Sequence, residues 1–178
     1  ALIIILVATM SAWLMALILH LKPVDFIKME LPLWGWILFR LMASFCGVFG
    51  FSIMFNSPIP LAAAAAAIGA IANTLRLELI DLAALPPAAA AFIGALTAGI
   101  LASLMKNRLG YPRISVTVPS IVIMVPGLYL YRGFYNLGIM SLSVSASWFA
   151  AAILIILALP LGLIFARILT DKTFRYCT

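Results

Sequence analysis

The chain has 178 residues, 66% of them hydrophobic and 9% charged, with a formal net charge of +6 and a mean hydropathy of +1.25. An ordinary soluble domain carries about 25% charged residues, so this composition excludes a disordered tail, a nucleic-acid module and a typical cytosolic enzyme. Apolar spans of about 20 residues cross a bilayer, and the pattern reads as an all-α, polytopic membrane helix bundle of about five to six spans, one of them broken by Pro and Gly.

In chain order, the first apolar run is Ala1–Leu21, closed by the polar stretch from Lys22 to Glu30. It opens without an initiator Met or a charged leader, and the expectation is that the natural N-terminus lies further upstream. The run is longer than a signal-peptide core and is followed by further spans, which argues against a cleaved leader. A second span is expected from Leu33 to Phe55, with Trp34 and Trp36 at the headgroup level that tryptophan prefers. Asn56, Ser57, Pro58 and Pro60 make a tight turn into a third, Leu61 to about Ile80. Pro86–Pro87 opens a fourth, which ends near Met105. The cluster Lys106, Arg108, Gly110, Pro112 and Arg113 is the clearest loop. The segment Ile114–Tyr131 contains Pro119 and Pro126–Gly127; each proline removes an amide donor and crowds the preceding turn, so a broken or kinked helix is expected there. A last span runs from about Ser145 to Leu169, with Pro160 and Gly162 in its middle.

Alternating loops place Lys106, Arg108, Arg113, Arg167, Lys172 and Arg175 on one side and Lys22, Lys28, Arg76 and Arg132 on the other. That asymmetry favours cytoplasmic termini. Cys46 and Cys177 form neither a disulfide framework nor a metal site.

Helices in lipid associate through small residues that let backbones approach. Ala91, Ala95, Gly99 and Ser103 recur every four residues in the fourth span, Ala65, Gly69 and Asn73 in the third, and Arg40, Ala43, Ser44, Gly47 and Gly50 form a stripe in the second. These spans are expected to bundle tightly, with Arg40, Asn73 and Arg76 pointing inward, because a charge facing lipid costs about 2.5–3.5 kcal/mol.

The single histidine, His20, excludes a Ser-His-Asp set and a multi-histidine metal site, and no phosphate-binding loop of the G-x-x-x-x-G-K-[ST] kind occurs. No cofactor, metal or catalytic residue is expected. The most charged intramembrane stretch runs from Asn73 to Asp81. On a helix Asn73 and Arg76 share one face and Thr74, Glu78 and Asp81 another. One reading makes Arg76, Glu78 and Asp81 markers of the membrane surface. The other has Arg76 hold a carboxylate through its planar fork while Glu78 or Asp81 carries a coupling proton. The second constellation is the interruption at Pro126 and Gly127, followed by Tyr129, Tyr131 and Arg132. Free backbone at membrane depth survives where protein or a wet cavity satisfies it, which is how transporters build substrate sites; the plainer alternative is a proline kink with an interfacial anchor. Arg40 is expected to snorkel toward Trp34 and Trp36, the alternative being a pair with Glu78 or Asp81.

At these stretches the sequence resembles the threonine/serine exporter family of bacteria, in its C-terminal membrane half or separate small subunit. The matching residues are Phe55-Asn56-x-Pro58, Gly69-Ala70-Ile71 followed by Arg76, and Val125-Pro126-Gly127-Leu128-Tyr129-Leu130-Tyr131-Arg132-Gly133-Phe134-Tyr135. The likeness covers roughly Leu41 to Ile168. It implies proton-driven export of threonine and serine, or of dicarboxylates such as succinate, across the bacterial inner membrane. It also implies a companion half with a soluble hydrolase-like part and spans of its own.

The expected organisation is one integral membrane domain over 1–178, with an extra N-terminal helix and loop over 1–32 and the exporter-like bundle over 33–170. Substrate contact is expected at Arg76, Asn73, Tyr131, Arg132, Pro126 and Gly127, proton coupling at Glu78 and Asp81, and helix packing at Gly47, Gly69, Ala95 and Gly99. The partners expected are a small-molecule substrate, the companion half, the lipid bilayer and further copies in an oligomer, with no nucleic acid. A non-transporting scaffold that assembles with a substrate-binding partner is the alternative.

Overall fold

The structure, a computed structural model, describes residues 2–21 and 32–171; of residues 2–6 and 106–109 only the helical backbone is described. The loop from Lys22 to Glu30, the side chains of Lys106 and Arg108, and the tail holding Lys172, Arg175 and Cys177 lie outside the described residues. Every regular element described is a helix: α1 Leu2–Ile18, α2 Leu33–Met54, α3 Ile59–Asp81, α4 Pro87–Leu109, α5 Arg113–Val122, α6 Gly127–Gly138 and α7 Leu142–Thr170. Among the described residues five segments are long and apolar enough to cross a bilayer: α2, α3, Pro87–Met105 of α4, Arg113–Gly138 and α7. α1 has 17 described residues, a rise of about 25 Å. It stops at Ile18, before the expected Leu21, because His20 turns the chain at φ +53°.

Proline and left-handed residues set the boundaries. Pro32, Pro58, Pro86, Pro112 and Pro126 each sit immediately before a helix, where a missing amide costs nothing. The Asn56 turn has a specific form: Asn56 at φ +57° donates its amide to Ile53 O, and Ser57 donates to Ser52 O. That pair of bonds closes α2 on its own carbonyls, and Asn tolerates the left-handed backbone it requires. Pro58 then starts α3. The loop expected over Lys106–Arg113 is shorter than that cluster, since α4 continues to Leu109 and Gly110 caps it in the left-handed region.

The chain separates into two compact units, Ala1–Glu30 with Pro126–Leu154, and Leu31–Val125 with Ile155–Thr178. In the first, α1 packs on α6. Gly133 lies against the Phe149 ring, and the Ser145 hydroxyl donates to Gly133 O at 2.7 Å.

In the second unit α3 is the central helix, packed against α2, α4 and α5. Its alanine run buries Ala62, Ala65, Ala66 and Ala72 completely; small side chains leave room for neighbouring backbones, and dispersion at close range replaces hydrophobic exclusion as the attraction. A Cβ on Gly69 would stand 2.7 Å from Val48 Cγ2 and 2.8 Å from Ser120 O. Gly99 meets Ala166 and the Arg113 guanidinium, Ala95 adjoins Gly162 of α7, and a Cβ on Gly162 would stand 2.5 Å from Phe92 O. In α2 the buried face is Ser44, Val48 and Ser52, so the expected stripe is displaced: Ala43 and Gly50 are exposed, while Gly47 turns its Cα toward Ile123, just after α5. Small residues on a two-partner helix mark more than one face, and the partner decides which is used.

The paired prolines of the fifth segment behave differently. Pro119 remains inside α5, where Thr117 and Ser120 hydroxyls bond back to Arg113 O and Thr117 O. Pro126 breaks the helix. Its ring crowds the carbonyl four residues earlier, which belongs to Val122, and Val122 is the last residue of α5.

A close-contact glycine should be intolerant where backbone is the neighbour. Gly69→Ala is expected to lower the Tm in detergent by several degrees, because Ser120 O cannot move aside. Gly50→Ala, with nothing within 4 Å, should leave it unchanged or raise it. Differential scanning fluorimetry of the two variants makes the comparison.

Candidate functional site

The α5–α6 interruption leaves backbone groups that the helices do not use. Met124 and Val125 donate to Ile121 O and Val122 O in tight turns, but the Met124 carbonyl has no helical donor. Arg76 supplies one: its Nη1 donates to Met124 O at 3.0 Å. Met124 itself is 1% exposed. Gly94 of α4 makes room for this contact, since a Cβ there would press at 3.2–3.3 Å on Ala72 O, Arg76 Cβ and Met124 Sδ. Arg76 therefore points inward and is bound to the break itself.

One turn earlier on α3, Asn73 is buried and donates through Nδ2 to Ser44 Oγ of α2 at 2.9 Å. Its Oδ1 has no hydrogen-bond partner, and neither do the buried hydroxyls of Thr74 and Ser52. Buried polar atoms left without a bond cost about 1–3 kcal/mol each, so each of these is a point that water or a hydrophilic molecule would satisfy.

Glu78 and Asp81 face elsewhere. Arg40 of α2 donates to Glu78 Oε1 at 2.8 Å and to Asp81 Oδ2, and its guanidinium lies 5.5 Å from the Trp36 ring centroid. The expected snorkelling gives way to a clamp between helices, still beside the interfacial tryptophan. Two carboxylates within reach explain the outcome, because pairing removes three charges from lipid at once whereas snorkelling removes one. Glu78 is 15% exposed and Asp81 53%, which puts Asp81 at the rim and Glu78 inside it.

Tyr131 and Arg132 belong to the other unit. Arg132 stacks over the Trp148 ring at 4.9 Å, and Tyr129 meets the same ring edge-on at 5.5 Å. Pro126 and Gly127 open α6. The structure thus brings Arg76 to the carbonyl two residues before Pro126, and joins Asn73 to Ser44; Arg132 is placed with Tyr129 at Trp148, and Tyr131 lies on α6 of that unit.

Hollows lined by described residues of the second unit include two of note. One of about 320 Å³ is lined by Leu41, Met42, Phe45, Cys46, Ala67, Ala70 and Ile71, entirely apolar and unsuited to a hydrophilic cargo. The other, about 610 Å³, includes Arg113, Thr117, Arg167 and Asp171. Arg76 lines neither. Sequence reasoning treated Arg113 as a loop charge; in the fold it donates to Gly99 O at 3.0 Å and to Thr170 Oγ1 at 3.1 Å, tying α5 to α4 and α7. The only local hint was its position directly after Pro112, where a helix begins. Among the described residues no group of three His, Cys, Asp or Glu could hold a metal ion.

Comparison with curated proteins and with solved structures gives no match. Residues 40–169 match the family model described as "Threonine/Serine exporter, ThrE". This range contains the Asn56 turn, the Arg40 clamp, Arg76 with its carbonyl, and the interrupted helix. Broken helices within multi-pass bundles recur in transporters, and with the match over more than two thirds of its length the chain belongs to the threonine/serine exporter family.

Proposed function

We propose that this chain is a membrane half of a proton-driven exporter of threonine, serine or small carboxylates such as succinate, and that Arg76 is the residue that receives the cargo's carboxylate. The observation that carries this reading is the Arg76 bond to Met124 O at the helix interruption. A carbonyl is a neutral acceptor. A carboxylate forms charge-assisted bonds about twice as strong and accepts two parallel N–H groups from a guanidinium. A cargo carboxylate arriving at Arg76 would therefore displace the carbonyl, and its departure would restore the resting contact. Asn73 Oδ1, one turn away on the same face of α3 and without a hydrogen-bond partner among the described residues, supplies an acceptor to a cargo's ammonium group. Pro126 and Gly127 keep the break open, and Tyr131 and Arg132 are proposed to contact cargo from their own unit. The bundle over 33–170 acts as one membrane domain of a bacterial inner-membrane machine, oligomeric and completed by a companion half with a soluble hydrolase-like part.

The proposed proton carrier is the Arg40–Glu78–Asp81 clamp. Protonating Glu78 removes one of the two negative charges that hold Arg40, which weakens the tie between α2 and α3. The scaffold reading has its own support, because Arg76 already has a structural task at Met124 O; there, the arginine would matter for assembly alone.

These readings separate in vesicles holding both halves of the exporter. Arg76→Lys keeps a donor for Met124 O but loses the fork, so threonine efflux is expected to fall at least about tenfold with the Tm held within a few degrees. Arg76→Gln should lose both flux and stability, the latter by about 1–3 kcal/mol from the stranded carbonyl. Wild-type flux in a stable Arg76→Lys protein would leave the scaffold as the answer.

For the coupling role, efflux is measured with and without an inward proton gradient. Wild-type vesicles should respond. Glu78→Gln, fixed in the neutral form, should transport at a rate indifferent to the gradient, and a preserved response would remove Glu78 from the mechanism.

A further inference from the structure

We infer that the groove between the start of α5 and the end of α7 binds an anionic phospholipid, its phosphate held between Arg113 and Arg167 and an acyl chain lying along Ile114, Val118 and Ile164. The carrying observation is the state of Arg113. Its guanidinium is fixed in place by two neutral acceptors, Gly99 O and Thr170 Oγ1. Thr170 is itself anchored, by its bond to Ala166 O at 2.7 Å. Among the described residues Arg113 makes no ion pair within 4 Å, so a partly buried cation stands oriented at the groove, with Asp171 acting on it only at longer range. Arg167 lines the same groove. Among the described residues that line the hollow there are two arginines and one carboxylate, Asp171, which lies 3.9 Å from Arg167 Nε.

The volume of about 610 Å³ is ample for a headgroup. The remaining walls decide between a lipid and a free anion. Ile114 is 68% exposed, Val118 42% and Ile164 45%, so the groove runs out from the arginines along apolar side chains that face hydrocarbon. Ile114 and Val118 are four residues apart on one face of α5, matching a chain that lies along the helix. α5 begins and α7 ends here, so the arginines sit at an end of the spanning helices, at the depth of lipid phosphates, with the apolar track leading inward. Basic pockets between spanning helices are suited to anionic headgroups.

The full chain in neutral detergent is incubated separately with phosphatidylglycerol, phosphatidylcholine and inorganic phosphate, and followed by native mass spectrometry and thermal shift. Retained phosphatidylglycerol and a raised Tm are expected, with neither from phosphatidylcholine or phosphate. Arg113→Gln and Arg167→Gln should each weaken phosphatidylglycerol binding about fivefold, and Ile164→Trp, which fills the groove without altering charge, should weaken it as well. Equal retention of phosphatidylcholine, an equal response to inorganic phosphate, or undiminished binding in the arginine variants overturns the inference. Arg167 is 53% exposed, so its variant carries the test if Arg113→Gln does not fold.

Discussion

A carbonyl without a donor cannot be hydrated in hydrocarbon, and the second unit is organised around answering that need at Met124. Pro126 ends α5 at Val122, and the chain runs through Met124 before α6 begins. Arg76 reaches it only because α3 lies close to both α4 and α5. That proximity depends on residues without bulk: Gly94 beside Arg76 and Met124, Gly69 beside Ser120, and the fully buried alanines of α3. The small-residue packing and the polar contact are one arrangement, since a wider separation would strand the carbonyl and a guanidinium together.

The polar groups of this unit divide by depth. α3 ends and α4 begins at one end, where Arg40, Glu78, Asp81 and Trp36 gather. α4 ends and α5 begins at the other, where Arg113, Ser103 and Thr170 are linked. Between them on α3 lie Asn73 and Thr74, whose buried oxygens lack hydrogen-bond partners among the described residues. Charge at both ends and neutral polar atoms between is what a bilayer permits, because ionised groups are least costly near the headgroups. A transporter also needs interior contacts weak enough to exchange, and a neutral carbonyl on Arg76 is such a contact.

Much of the architecture was legible from the residues. Prolines before five helices, the Asn56 turn and the length of the apolar runs announced the elements, because backbone constraints of Pro and of left-handed residues act locally. The family resemblance rested on the same stretches, and the match over residues 40–169 covers them. Arg40 was less legible. Its two candidate fates differ by where Glu78 and Asp81 come to rest, and that depends on how α2 and α3 align.

What the linear order of residues determined, then, was that this is a bundle of membrane helices with one interruption and with arginines that must find company inside it; composition and proline chemistry suffice for that. Tertiary structure decided which company. Arg76 met a backbone carbonyl 48 positions away, Arg113 met Gly99 and Thr170, and the working face of α2 proved to be Ser44, Val48 and Ser52. Hydrogen bonds fall off within an ångström and between helices depend on rotation and register, quantities that exist only once the helices have packed.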